Sequence, residues 1–361
     1  MARMKREIKA AWIFVALLLA SPLAAQVSPV PRVAAETVQD DHYPSHPVSF
    51  PNGVTGLPGV IFWKMAGYRP LALDLYLPPA SVQRPARGFP FIVYIHGGGW
   101  LVGDTHRSGP FVDFPGVLAS LAARGYVVAS VEYRLSGEAI FPASIQDIKA
   151  AIRWLRSHAS EYKIDPARAM TWGPSAGGTL AALASVSCDV RALEPARTNQ
   201  PAGIPDATAG GTSGAAEISD CVMGSVSWFG VFDFATIAAQ AAQERAMSRA
   251  DRDAPEWRML GCFADECKKI ELAAASPVSY VNAKTPPMLL IVGDADQTVP
   301  HLQTLEMAER LKTAGAPYDL IVIPGVDHVF IGKTPDQTRE ACLKALDATF
   351  RFIDKTMKNV Q

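Results

Sequence analysis

The sequence predicts an α/β fold, a mostly parallel sheet covered by helices on both faces, and three observations predict it. Phe91–Ile95 is apolar without interruption and Tyr126–Val131 is apolar but for Ser130, as in strands buried on both sides. Segments with helical spacing alternate with such runs along most of the chain. A third short strand, Arg168–Trp172, leads into Gly173-Pro174-Ser175-Ala176-Gly177, and an Ala/Leu-rich segment suited to a helix follows at once.

In order, Val60–Lys64 and Leu71–Leu77 read as an antiparallel hairpin, the second strand alternating leucine with Ala72, Asp74 and Tyr76. Phe111, Phe114, Val117, Leu118 and Leu121 mark a helix between the two buried strands. Pro142 opens another, with Ile145, Ile148, Ile152 and Leu155 on one face. After the segment around Ser175, strands are expected at Val222–Phe229, Met288–Val292 and Tyr318–Ile323, and helices at 301–314 and 336–357. Two stretches leave this rhythm. Residues 189–220 are rich in Gly, Ala, Thr, Ser and Pro, and read as a surface insertion in preference to a lid. Residues 233–276 form a second, more helical insertion that could cover a site. Residues 26–58 carry Pro, Val and Ala without a period and read as an extended lead-in, ahead of a catalytic domain over 59–361.

The chain has 361 residues, 49% of them hydrophobic, enough for a large core in one domain. A formal charge of −1 and the absence of any basic block point away from nucleic acid. Arg3, Lys5, Arg6 and Lys9 precede the apolar run Ala11–Ala20, and Ser21-Pro22 breaks it before Ala24-Ala25. Residues 1–25 are therefore expected to be a signal peptide. The run is short for a hydrocarbon core of roughly 30 Å, so no stable membrane span is expected after cleavage. Loss of four basic and one acidic residue would leave a formal charge of −4. A secreted or periplasmic protein is expected to pair its cysteines. Of the five, Cys262 with Cys267 and Cys188 with Cys221 are the candidate pairs, leaving Cys342 free. No histidine lies near either pair, which disfavours zinc.

Gly-x-Ser-x-Gly between a strand and a helix puts a serine on a sharp turn with its hydroxyl exposed. Alone, it is also what an ordinary glycine-rich turn looks like; its meaning depends on whether the chain supplies a base, an orienting acid and oxyanion donors. His96-Gly97-Gly98-Gly99-Trp100 follows directly on the Phe91–Ile95 strand and offers unobstructed backbone N–H groups. Gly98, Gly99 and Ala176 are the candidate oxyanion donors. The loop Gly293-Asp294-Ala295-Asp296 holds two candidate acids. Asp296 is favoured because Asp-x-x-Val-Pro puts it in the loop leading to the next helix, while Asp294 is expected to hold that loop through backbone N–H groups. After the last strand, Asp327-His328 supplies the base, His328. His106, His158 and His301 fall in helical or surface contexts.

With these motifs, and with Glu132-Tyr133-Arg134-Leu135, Phe141-Pro142-Ala143 and Gly325-Val326-Asp327-His328, residues 60 to 355 resemble the α/β-hydrolase superfamily. Within it, they are similar to secreted esterases of the feruloyl/acetyl-xylan type and to hormone-sensitive-lipase-like esterases. The resemblance implies a Ser175/His328/Asp296 carboxylesterase without a cofactor, acting on a small-molecule or polysaccharide-linked ester. An arylformamidase-like amide hydrolase on the same triad is the alternative. Pro174 stands where lipase-like relatives more often carry Asp, and Glu132 where Asn is common. The helical cap of that group is not evident in residues 26–58.

Overall fold

A computed structural model describes residues 46–195, 218–263 and 265–358. The signal-peptide reading of 1–25, most of the lead-in and the middle of the 189–220 insertion lie outside these residues. Strands β1 (Val48–Ser49), β2 (Thr55–Trp63), β3 (Leu71–Leu77) and β4 (Phe89–Ile95) are followed by helix α1 (Phe114–Ala122) and strand β5 (Val127–Val131). Then come α2 (Ala143–Ser157), α3 (Ala159–Tyr162), β6 (Ile164–Pro174), α4 (Ala176–Val186) and β7 (Ser225–Trp228). Helices α5 (Ile237–Glu244), α6 (Pro255–Leu260) and α7 (Lys269–Ala275) precede β8 (Met288–Gly293), α8 (Leu302–Ala314), β9 (Tyr318–Ile323) and α9 (Pro335–Lys358).

The nine strands form one sheet in the order β1-β2-β3-β5-β4-β6-β7-β8-β9. The β1, β2 and β3 end is antiparallel, and everything from β5 to β9 is parallel. This is the α/β-hydrolase arrangement expected from the sequence. Strand parity decides which layer each side chain joins, because successive residues point to opposite faces. Phe91, Val93 and Ile95 of β4 face the layer holding α2, α4 and α8. Ile92 and Tyr94 face the layer holding α1 and α9. On that second side Tyr94, Trp172 and Trp228 pack edge to face at 5.0 and 5.1 Å between ring centroids, directly beneath the ends of β6 and β7.

The sheet starts earlier than the sequence indicated. β1 pairs with β2, and β2 begins at Thr55, so Val48–Ser49 and Thr55–Pro58 belong to the sheet and the boundary at 59 cuts a strand. Pro58, Gly56 and Gly59 obscure the alternation there. A register shift between Leu57 and Val60 accommodates them, the place in a sheet where such residues are tolerated.

Arg134, just past β5, is buried and bonds both carboxylate oxygens of Asp147 on α2 through Nε and Nη2, at 2.7–3.0 Å, while its own N–H adds a third link at 2.8 Å. The guanidinium also lies over the rings of Trp63 and Tyr68. Arg134→Ala would leave a fully buried carboxylate unpaired, at a cost of about 3–5 kcal/mol. The expected result in denaturant melts is a large loss of stability for that variant, and a much smaller one for Arg134→Met combined with Asp147→Leu.

Candidate active site

β6 delivers Ser175 to the C-terminal edge of the sheet, and α4 starts at the next residue. Ser175 has φ +52°, a region that residues with a Cβ rarely occupy. The turn is held by the Ser175 N–H, which donates to Trp228 O at 2.8 Å. It is possible only with glycine on either side. A Cβ on Gly173 would lie 2.4 Å from Gly177 O, and one on Gly177 would lie 2.0 Å from Ile95 O. The close approach at Gly177 also brings the end of β4, and the glycine turn beyond it, against the serine.

That turn is shaped from beneath by His96. The buried imidazole donates from Nδ1 to Gly97 O at 2.8 Å and stacks on Tyr133, with centroids 4.3 Å apart. Burial lowers its pKa, which keeps it a neutral packing element. Tyr133 in turn donates its hydroxyl to His96 O at 3.1 Å. Gly98 (φ +111°) and Gly99 (φ +60°) both take left-handed conformations, and Gly98 O accepts the N–H groups of Leu101 and Val102. Among the described residues the N–H groups of Gly98 and Gly99 have no acceptor. The Ala176 N–H is at the first position of α4, where no acceptor exists within the helix. Glycines 97 to 99 and Ser175 line the same cavity.

His328 follows β9 in a one-turn 3₁₀ segment. Its Nε2 stands 3.1 Å from Ser175 Oγ and its Nδ1 2.8 Å from Asp296 Oδ2. The other carboxylate oxygen of Asp296 accepts the N–H groups of Thr298 and Val299 at 2.9 and 2.8 Å. The Asp296 side chain is fully buried and that of His328 is 14% exposed. Asp327 fixes the loop by accepting the N–H groups of His328 and Gln297. Asp294 faces away from the imidazole and accepts the Gly325 N–H at 2.6 Å, tying the β8 loop to the β9 loop. The structure thus brings Ser175, His328 and Asp296 into one hydrogen-bonded chain, with Gly98 and Gly99 around the same cavity. With a neutral imidazole, the chain can relay a proton from the serine while the carboxylate steadies the resulting cation.

The cavity, about 430 Å³, is walled by Trp100, Val231, Val299 and Val329 and roofed by Met247, Arg249, Pro255 and Glu256. Arg107, Ser108 and Gly109 also line it. The sequence marked 233–276 as a covering insertion but singled out none of these roof residues. A helix-forming pattern was visible there; the residues that meet the site lie between helices. His106 pairs with Asp74, His301 with Glu244, and His158 stacks on Trp154, so all three are engaged elsewhere. Cys188–Cys221 and Cys262–Cys267 are disulfides with Cα atoms 4.8 and 5.2 Å apart, and Cys342 is a free, buried thiol.

The profile of the BD-FAE family matches residues 73–311. The chain belongs to that family. The profile of the dienelactone hydrolase family also matches residues 271–357, the part that carries Asp296 and His328. Esterase LipQ of Mycobacterium tuberculosis is 27% identical over 265 residues, 73% of this chain and 55% of that protein. Carboxylesterase NlhH of the same organism is 37% identical over 127 residues, 34% of this chain and 36% of that protein. The chain spans about half the length, or less, of these curated relatives. Among solved structures, a truncated carbohydrate esterase from gut microbiota superposes with a TM-score of 0.58 at 26% identity, covering 80% of this chain and 91% of that one. Esterase 2 of Thermogutta terrifontis gives a TM-score of 0.58 at 27% identity, covering 82% and 92%.

Because a Cβ at Gly177 has no room, Gly177→Ala must displace either the serine or the glycine turn. Displacements of about 1 Å cost on the order of 100-fold in reactivity. The expected outcome is a loss of that size in the rate at which paraoxon labels Ser175, measured by mass spectrometry, with the far-UV circular dichroism retained.

Proposed function

We propose that the protein is a serine carboxylesterase that hydrolyses short-chain or aryl carboxylic esters through an acyl-enzyme. The observation that carries this reading is the hydrogen-bonded chain Ser175 Oγ, His328 Nε2, His328 Nδ1, Asp296 Oδ2, lying beside a glycine turn whose Gly98 and Gly99 N–H groups have no acceptor among the described residues. His328 takes the serine proton as Oγ attacks the acyl carbon. Asp296 orients the imidazole and stabilises its cation, and the N–H groups of Gly98, Gly99 and Ala176 bind the oxyanion. The α4 N-terminus adds its positive dipole end beside the developing charge. The alcohol leaves with the proton from His328, and water activated by the same imidazole releases the acid.

The cavity supports small acyl or aryl groups: its walls are apolar, and its volume of about 430 Å³ is at the lower end of ligand-pocket sizes. Relatives described as esterases and a structural neighbour described as a carbohydrate esterase support an ester; feruloyl or acetyl esters of cell-wall polysaccharide are the substrates proposed within that class. Two disulfides support an oxidising, secreted or periplasmic setting. Among the described residues no helix is long and apolar enough to cross a membrane.

Ser175→Ala is expected to abolish hydrolysis of p-nitrophenyl acetate; retained turnover would sink the assignment. Asp296→Asn is expected to lower kcat by about 10⁴-fold, as loss of the orienting carboxylate does in such triads. Asp294→Asn keeps an acceptor for Gly325 and should cost far less. Steady-state kinetics on acetyl-xylan, methyl ferulate, p-nitrophenyl esters of rising chain length and an N-formyl aromatic amide separate the substrate classes. An amide rate above every ester rate would favour the formamidase alternative.

A further inference from the structure

Asp296 Oδ1 is held by two successive backbone N–H groups, those of Thr298 and Val299. Each N–H belongs to a rigid peptide plane whose carbonyl points the opposite way. The carbonyl sharing a plane with the Thr298 N–H is that of Gln297, and it accepts the Met247 N–H at 2.6 Å. The carbonyl sharing a plane with the Val299 N–H is that of Thr298, and it accepts Arg249 Nη2 at 2.7 Å. Both planes that cradle the carboxylate are therefore gripped from behind by one three-residue piece of the cavity roof.

The grip is itself braced. Arg249 and Glu256 are buried, with side chains 1% and 3% exposed, and Nη2 donates to Glu256 Oε1 at 2.9 Å. Arg249 also donates to Met247 O, closing the roof segment on itself. Trp257 Nε1 donates to Arg249 O at 2.9 Å. On its other side the segment meets the glycine turn, where Pro255 Cβ stands 3.1 Å from the position a Cβ on Gly99 would take. The roof continues into α6, whose Met259 O accepts the Phe141 N–H, and then into the Cys262–Cys267 loop. A charged donor on a carbonyl also polarises the peptide and strengthens the N–H bond on its far side.

We propose that Arg249 is a positioning residue: by holding the Thr298 carbonyl, it fixes the peptide N–H that orients Asp296 toward His328, so that the insertion roofing the cavity is also part of what aligns the acid. This rests on the serine-esterase reading. Turnover by the parent protein and its loss in Ser175→Ala test that reading separately from the variants below.

The experiment measures kcat and KM for p-nitrophenyl acetate in Arg249→Met, Arg249→Lys and the double variant Arg249→Met with Glu256→Met. All rates are expressed per active site titrated with paraoxon, and thermal melts are run alongside. The double variant replaces the buried pair by apolar groups of similar length, an exchange that proteins often tolerate without losing stability. It therefore keeps the test alive if Arg249→Met alone does not fold. The expected result is a fall in kcat of at least about tenfold per titrated site in the double variant, with KM within about twofold of the parent. Arg249→Lys, which keeps a donor for the Thr298 carbonyl, should retain more kcat than either methionine variant. A merely structural role would lower the number of titrated sites and leave kcat per site unchanged. That result, or an effect confined to KM, overturns the proposal.

Discussion

The contact on which the site depends is the approach of Gly177 to the end of β4. The backbone of the turn after β6 sits so close to Ile95 O and His96 O that no Cβ fits between them. One steric fact thereby joins two functional segments that are about 80 residues apart in the chain. It sets Ser175 at its strained φ, and it fixes the distance between the serine and the glycine turn after His96. The cost of the strained dihedral, on the order of 1–3 kcal/mol, is offset by the buried aromatic cluster of Tyr94, Trp172 and Trp228 under the strand ends. Trp228 also contributes the carbonyl that holds the serine N–H.

Charge is arranged to hold the same helix from its other end. Lys149, fully buried on α2, donates to Ser187 O at the C-terminus of α4 and pairs with Glu194 and Asp220. A cation at a helix C-terminus complements the helix dipole. Glu194 and Asp220 stand on either side of residues 196–217, and Cys188–Cys221 links the same two strands of chain. Helix α4 is therefore fixed at its start by glycine packing and at its end by a lysine. The described residues flanking 196–217 are tied to one another by a disulfide and to α2 by a buried ion cluster.

The parts legible in the sequence are those whose pattern is local. β4, β5 and β8 are apolar runs buried on both faces, and their outline could be read directly. Ser175, His96–Gly99 and His328 sit at strand ends, where a short motif carries its own geometry. Asp296 was also legible locally: Asp-x-x-Val-Pro puts it in the loop leading to α8, where it takes the N–H groups of Thr298 and Val299, whereas the Asp294 contact to Gly325 spans two loops. What was illegible is relational. β2 begins within a segment broken by Gly56, Pro58 and Gly59, and only its partner β3 reveals it as a strand. Met247 and Arg249 have no motif at all: their acceptors, Gln297 and Thr298, are about 50 residues further on, and nothing in the spacing indicates them.

That last group changes how the insertion between β7 and β8 should be understood. A lid that opens needs few fixed polar bonds to the body of the enzyme. This one is bonded to the acid loop by Met247 and Arg249, to the loop before α2 through Met259, and internally by the Cys262–Cys267 disulfide. Arg249 and Glu256 are a buried pair, and parting them inside the fold would leave a buried charge uncompensated. A fixed roof means that the apolar walls, with Trp100 and Val231 below and Pro255 above, define one cavity shape before substrate arrives. Arg107, Ser108 and Gly109 line the same cavity.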